Sequence, residues 1–430
     1  MSGGSPATVF ELDPGRGEIS QSVPYFLPDG KHFLYTSLAK ETAFMLGSLD
    51  GKTRRVLMPG GGESPASYAR NPAGGGWILY IRGSQLMARS FDPGKGELTG
   101  DAAVVADSMF NGPSWSASAN GFLAFRRIQT NQTQLTWFNR DGKPLGTAGD
   151  PGNFHAARIS PDQKSLAFYN RPNGRSADIW LFDLTRGITS RFTSEPGRYA
   201  AYPVWSPDGN HLLYWTRTPN VLVKRPVNGI GPETILKSQP NTSWVPSGVS
   251  RDGRWVVVLE IGGARRRILL ATWPDGKSVP LVEGESPGDG SLSPDGRWLL
   301  YKFAPGDGRA EVFVQSLPEE AGGSPSAVGK WQISTGGTSP VWRADGKEIF
   351  YLALDGKLMV VPVESGENFF RPGTQRPLFQ THLSVEGGRL FGREYDVTPD
   401  GQRFLLTQPV ADTGDVPITV IVNWPQLLKK

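Results

Sequence analysis

One segment recurs along the 430-residue chain and limits its fold more than any other feature. It is a short β-type stretch, a Pro-Asp-Gly turn, a polar or basic residue, and an apolar run ending in an aromatic. The clear copies are FLPDGKHFLYTS, ISPDQKSLAFYN, WSPDGNHLLYWT, VSRDGRWVVVLE, LSPDGRWLLYKF, WRADGKEIFYLA and VTPDGQRFLLTQ; NPAGGGWILYIR and SASANGFLAFRR follow the pattern less closely. The anchor positions Asp29, Gly75, Asn120, Asp162, Asp208, Asp252, Asp295, Asp345 and Asp400 lie about 45 residues apart, the length of a four-stranded propeller blade.

The turn has a physical cause. Proline pre-sets φ for a turn start, Asp bonds to backbone N–H groups just beyond it, and glycine accepts φ > 0. A Gly count of 54 and a Pro count of 36 leave little room for long helices and suit short strands joined by turns. The module after Tyr199 reads as AYPVWS, PDGN, HLLYWT, VLVKRPV and ETILK, that is, strands A, B, C and D with the turn between A and B. Such a sheet is apolar on both faces, so each blade needs neighbours to cover it.

These readings predict an all-β protein: one domain over residues 1–430, a single β-propeller of eight or nine four-stranded blades. The chain is out of phase with its repeat. ATVFELD near the start reads as a spare outer strand, and EYDVT, RFLLTQP and PITVIVNW near the end read as A, B and C without a D. The expectation is that residues 8–12 complete the last blade and close the ring.

Composition excludes several functions. Lys plus Arg is 45 against 41 Asp plus Glu, a net charge of +4, which is too small an excess for a phosphate-tracking face, so no nucleic-acid partner is expected. There is no cysteine, and the four histidines, His32, His155, His211 and His382, include no i, i+4 pair. Neither a metal nor another cofactor is therefore expected. No apolar run is long enough to span a membrane, and residues 1–20 lack a signal-peptide core.

There is no GxSxG elbow and no GxxxxGK[ST] loop. The recurring aspartates Asp29, Asp162, Asp208, Asp252, Asp295, Asp345 and Asp400 occur once per module, which marks them as structural turn residues. Glu319–Glu320 and Asp412/Asp415 read as solvated loops, not as a glycosidase acid pair. No catalytic residue is assigned, and the protein is expected not to be an enzyme.

Propeller geometry narrows where a ligand sits. The A–B turns are stereotyped, whereas the D–A loops vary, as a binding face on a rigid scaffold does. Those loops supply the candidate ligand-binding residues His155, Arg158, Tyr199, Trp244, Asp289, Arg389 and Arg393; B–C loops on the same face add Arg175, Arg217, Arg265 and Arg309. An arginine- and aromatic-lined mouth suits a protein or peptide partner, or a small anionic ligand. A monomer is expected.

The repeats resemble those of TolB-like, WD-like β-propeller proteins over nearly the whole chain. The segments SADIWLFDLTRGITSRFTSEP, KWQISTGGTSPVWRADGKEIFYLALDGKLM and ITVIVNWPQLLKK carry a narrower resemblance, to the C-terminal extracytoplasmic propeller region of bacterial, Acidobacteria-type membrane serine/threonine protein kinases. It implies an extracytoplasmic or periplasmic sensor or scaffold. No Gly-rich loop, VAIK lysine, HRD or DFG is present, so the implied kinase activity would lie in a region absent from this chain. The alternatives are a stand-alone TolB-like periplasmic scaffold in an envelope complex and a propeller enzyme of lyase or glycosidase type; a propeller that gates a peptidase is weighed and set aside, because the expectation is that no hydrolase domain remains after residue 430.

Overall fold

Each strong anchor folds into the same hydrogen-bonded turn. In the computed structural model, Ser206 Oγ donates to Asp208 Oδ1 (2.5 Å), the Asn210 amide donates to the same oxygen (3.0 Å), and the His211 amide donates back to Ser206 Oγ (2.9 Å). Ser160/Asp162, Ser250/Asp252, Ser293/Asp295 and Thr398/Asp400 repeat the hydroxyl–carboxylate contact. Asp29 binds the Lys31 and His32 amides instead, and Asp345 binds the Arg343 side chain and the Lys347 amide. The turn thereby fixes where strand A ends and strand B begins.

The structure describes residues 7–428 apart from 19, 40, 61–64, 72–73, 84, 108–114, 127–131, 172–175, 196–197, 237–241, 263–265, 285, 305–308, 318–328, 368, 384–392 and 411–417. The described residues form nine antiparallel sheets, most of them four-stranded, with two short 3-10 turns as the helical elements. This is the all-β architecture of four-stranded blades that the repeat predicts. The chain divides into two compact units, residues 1–130 with 412–430, and residues 131–411.

The second unit holds six sheets. Blades 1 to 4 are continuous in sequence, with inner strands Phe154–Ile159, Ala200–Trp205, Ser243–Val249 and Ser286–Leu292. Blade 5 begins at Thr338–Trp342 and has an additional strand pairing at its outer edge. Blade 6 is composite: Tyr395–Val397 and Arg403–Pro409 supply its inner half, and Thr133–Asn139 and Pro144–Gly152 its outer half. The six inner strands contact one another in a cycle, so the ring closes within this unit on six blades, not on the eight or nine expected, because the strand Thr133–Asn139 completes the sixth.

Between blades the core is apolar and aromatic. Leu213, Leu222, Trp244, Val256 and Leu269 pack together between blades 2 and 3; Trp298, Trp342, Ile349 and Phe370 do so between blades 4 and 5. Each buried Leu or Val contributes about 1.5–3 kcal/mol relative to exposure.

The first unit contains two four-stranded sheets, which start at Ser20–Phe26 and Ser67–Arg70, and a three-stranded sheet in which Thr419–Ile421 pairs with Leu123–Phe125. Trp424 is buried in this unit, edge-on to Trp77 with ring centres 5.1 Å apart.

Ring closure departs from expectation. Residues 8–12 form no strand; Phe10 instead lies against Phe33 and Tyr35 of the first sheet (6.0 and 5.9 Å). PITVIVNW does not continue the last blade either. Thr133–Asn139 takes that place, paired with Arg403–Pro409 through seven consecutive residues. A full-length ladder between long strands satisfies more backbone groups than the three-residue strand Thr419–Ile421 could, and it removes the exposed edge.

Candidate functional site

The inner strands of blades 1 to 5 are each bulged. Their pairing shifts between His155 and Arg158, Ala201 and Val204, Pro246 and Gly248, Gly288 and Ser291, and Thr338 and Val341. At four of these bulges a non-glycine residue takes a left-handed conformation: Ala156 (φ 49°), Tyr202 (60°), Asp289 (51°) and Ser339 (55°). Bulges bend a strand and re-aim its side chains. Strain of this kind persists only where the surrounding packing enforces it, and it gathers at functional sites.

A small cavity of about 30 Å³ lies where the inner strands converge, and Arg158, Tyr202, Pro246, Asp289 and Arg393 line it. It has room for a carboxylate-sized group or a few waters, not for a whole peptide. Arg158 Nη1 donates to the backbone carbonyls of Ala157 (2.8 Å) and Arg393 (3.1 Å). Burial, and next the neighbouring Arg393 guanidinium, lower its pKa to about 10, so it remains a cation at neutral pH. Arg393 lies 3.9 Å from Asp396 and donates to the Pro340 carbonyl (3.4 Å). Lys302 pairs with Asp289 at 3.3 Å, and both are nearly buried.

Three cations, Arg158, Arg393 and Lys302, thus share the axial region with three carboxylates, Asp289, Asp396 and Glu394. The formal charges balance, and what the site offers an incoming carboxylate is guanidinium N–H donors in a low-dielectric setting. His155 lies beside it, with Nδ1 3.6 Å from Glu394 and its ring against Tyr169. Among the described residues no group of three His, Cys, Asp or Glu is placed to hold a metal ion.

Of the residues expected at the binding face, Arg158, Asp289 and Arg393 converge, with His155 beside them. Tyr199 and Trp244 are placed elsewhere. Tyr199 packs between blades under the Arg217 guanidinium, 4.4 Å from the ring centre. Trp244 is 2% exposed, and its Nε1 donates to Glu260 (2.9 Å). Tyr199 immediately precedes one inner strand and Trp244 is the second residue of another, and each packs between blades ahead of the bulge. Arg389, Arg175 and Arg265 lie outside the described residues, as do Glu319, Glu320, Asp412 and Asp415.

Lys302 and Asp396 were missed by sequence reasoning. Lys302 had a readable signal. It stands seven residues after its anchor, where other ring modules have Tyr169, Trp215, Leu259, Leu352 and Thr407.

No family model matches the chain. Among curated proteins it is 27% identical over 153 residues to a protein of Bacillus subtilis (strain 168) named an uncharacterized peptidase, YuxL, matching 34% of this chain and 21% of that protein. It is 24% identical over 206 residues to dipeptidyl-peptidase 5 of Porphyromonas endodontalis, matching 44% of this chain and 29% of the relative. The match spans less than a third of either relative's length. The expectation of a protein that is not an enzyme is therefore corrected, because both relatives carry peptidase names. Among solved structures, a protein described as TolB from Agrobacterium tumefaciens aligns with 17% identity and a TM-score of 0.48, over 65% of this chain and 98% of that one. The propeller assignment rests on the sheet topology and the cyclic contacts of the inner strands.

Proposed function

We propose that the ring of residues 131–411 binds the acidic end or acidic side chain of a peptide at its axis and serves a peptidase activity by selecting what reaches it. The observation that carries this reading is the convergence of Arg158, Asp289 and Arg393 on one small cavity, with Lys302 paired to Asp289 and Asp396 beside Arg393. Guanidinium groups bind carboxylates with directional, charge-assisted hydrogen bonds. The peptidase names of the two relatives support peptide as the ligand class.

The test is calorimetric titration of the protein with hexaglutamate and with hexaglutamine amidated at its C-terminus. Hexaglutamate binds, hexaglutamine binds at least ten-fold more weakly, and Arg393→Gln weakens hexaglutamate binding about ten-fold, or about 1.4 kcal/mol. Equal affinity for both peptides, or binding indifferent to Arg393→Gln, overturns the reading.

The resemblance of the repeats to kinase propellers supports a second, extracytoplasmic context, in which the same ligand class is sensed. Mass-spectrometric analysis of peptides incubated with the full natural protein separates the two contexts: cleavage supports the first, and intact peptide with ligand-dependent phosphorylation the second.

A further inference from the structure

A second, larger cavity in the ring is remote from the axis. It lies between blades 2 and 3 on the side of the A–B turns, has a volume of about 470 Å³, and is lined by Leu213, Lys224, Val249, Arg251, Val256 and Trp273. Ligand pockets are commonly about 300–1,000 Å³.

Three of these residues break the repeat. Lys224 pairs across the ladder with Leu213. The equivalent strand C residues of the other ring blades are Leu181, Leu270, Val314, Val360 and Trp137, all apolar. Trp273 donates its amide to the Arg254 carbonyl at the start of the C–D turn; the residues making the same bond in blades 1, 2, 4 and 5 are Leu184, Val227, Leu317 and Val363. Arg251 precedes the anchor aspartate, where the other ring modules have Pro161, Pro207, Pro294, Pro399 and Ala344. A departure from a structural repeat that gains nothing in packing points to function. Here three departures, far apart in sequence, meet in one cavity.

Their chemistry is coherent. Leu213 and Val256 are buried and give an apolar floor, and the half-buried Trp273 gives a flat wall. Lys224 Nζ lies 5.6 Å from the centre of that indole, held by cation–π attraction. Two carboxylates also border the cavity, and both are engaged by their own turns. Asp208 accepts from Ser206 and the Asn210 amide, and Asp252 accepts from Ser250 and the Arg254 amide and side chain. With Asp252 matched by Arg254, Lys224 and Arg251 outweigh Asp208 and leave the cavity one net positive charge.

We infer that this cavity is a second binding site, for a carboxylate carried on an apolar or aromatic body, with the body on Trp273 and the floor and the carboxylate between Lys224 and Arg251. A peptide C-terminus and a small organic acid share this chemistry.

The test is calorimetric titration with N-acetyl-leucyl-phenylalanine, its C-terminal amide, and 4-phenylbutyrate. Lys224→Leu, Arg251→Pro and Trp273→Leu each restore the residue type of the repeat, so the fold is retained. The free-acid peptide, the phenylbutyrate or both bind the natural protein; the tighter of the two identifies the source. The amide binds at least ten-fold more weakly than the acid, and Lys224→Leu and Trp273→Leu each weaken binding at least ten-fold at an unchanged or raised Tm. Because the axial site also takes a peptide carboxylate, the titrations are repeated in the Arg393→Gln protein, where the preference for acid over amide and its loss on Lys224→Leu persist, which separates this site from the axial one. Should Lys224→Leu fold poorly, Lys224→Gln gives the same loss through the charge alone. Failure of both acids to bind, equal binding of acid and amide, or full binding by the Lys224 variants overturns the inference.

Discussion

Asp396 accepts a hydrogen bond from the backbone amide of Ile159 at 2.9 Å, joining the inner strand of blade 6 to that of blade 1 across a sequence separation of 237 residues. This carboxylate both orders the axial site and ties the ends of the ring together. Asp396→Ala leaves a part-buried amide without its acceptor and costs about 1–3 kcal/mol. Asp396→Asn, which retains an acceptor oxygen, costs less. Urea unfolding of the two variants checks the order.

A second tie is the fork of Arg140 onto Glu348, with Nη1 and Nη2 at 2.9 and 3.0 Å from the two carboxylate oxygens; Nη1 also reaches the Gly401 carbonyl. Arg140 follows the strand that completes blade 6, and Glu348 belongs to blade 5. Glu348 keeps Arg343 as a partner when Arg140 is removed. Arg140→Ala is therefore expected to cost about 1–3 kcal/mol, not the full penalty of a buried lone charge. Arg140→Lys recovers only part of it, because an ammonium cannot reproduce the fork. Chemical denaturation measures both.

Trp244 supports packing rather than ligand binding. Its Nε1 and the Arg267 side chain share the buried Glu260 carboxylate. Trp244→Phe keeps most of the apolar contact and loses one charge-assisted hydrogen bond, at about 1.5–3 kcal/mol. The expected result is a lowered Tm with undiminished hexaglutamate affinity at the assay temperature.

The repeated turn makes stability depend on acid. The Ser250 hydroxyl most of all, and then, against the opposing effect of burial, the Arg254 amide and guanidinium lower the Asp252 pKa to about 2. A carboxyl whose folded pKa lies below its unfolded value of about 3.9 stabilises the fold fully above that value. That contribution is lost as pH falls toward about 2. Ser250→Ala removes the largest lowering effect, so its Tm deficit is greatest at neutral pH and shrinks between about pH 4 and pH 2. Thermal melts across that interval show whether it does.

The repeat was legible because each module solves the same local problem, and Ser206, Asp208 and Asn210 solve it with short-range hydrogen bonds that a sequence pattern displays directly. Closure was not. The partner of Thr133–Asn139 lies more than 260 residues away, and nothing local separates this strand from any other strand C. Phe10 illustrates the opposite error: an apolar segment can cover a sheet through side-chain contacts without joining its ladder. Arg158, Asp289 and Arg393 were legible as D–A loop residues. The bulges that aim them were not, because Ala156, Tyr202 and Asp289 take positive φ without the glycine that ordinarily announces it.

The most direct test of the axial site is a crystal structure of the protein soaked with hexaglutamate. The structure described here predicts a peptide carboxylate at the mouth of the ring, within hydrogen-bonding distance of Arg393 and either Arg158 or Lys302. Bound peptide elsewhere, with the axial cavity holding only water, would contradict it.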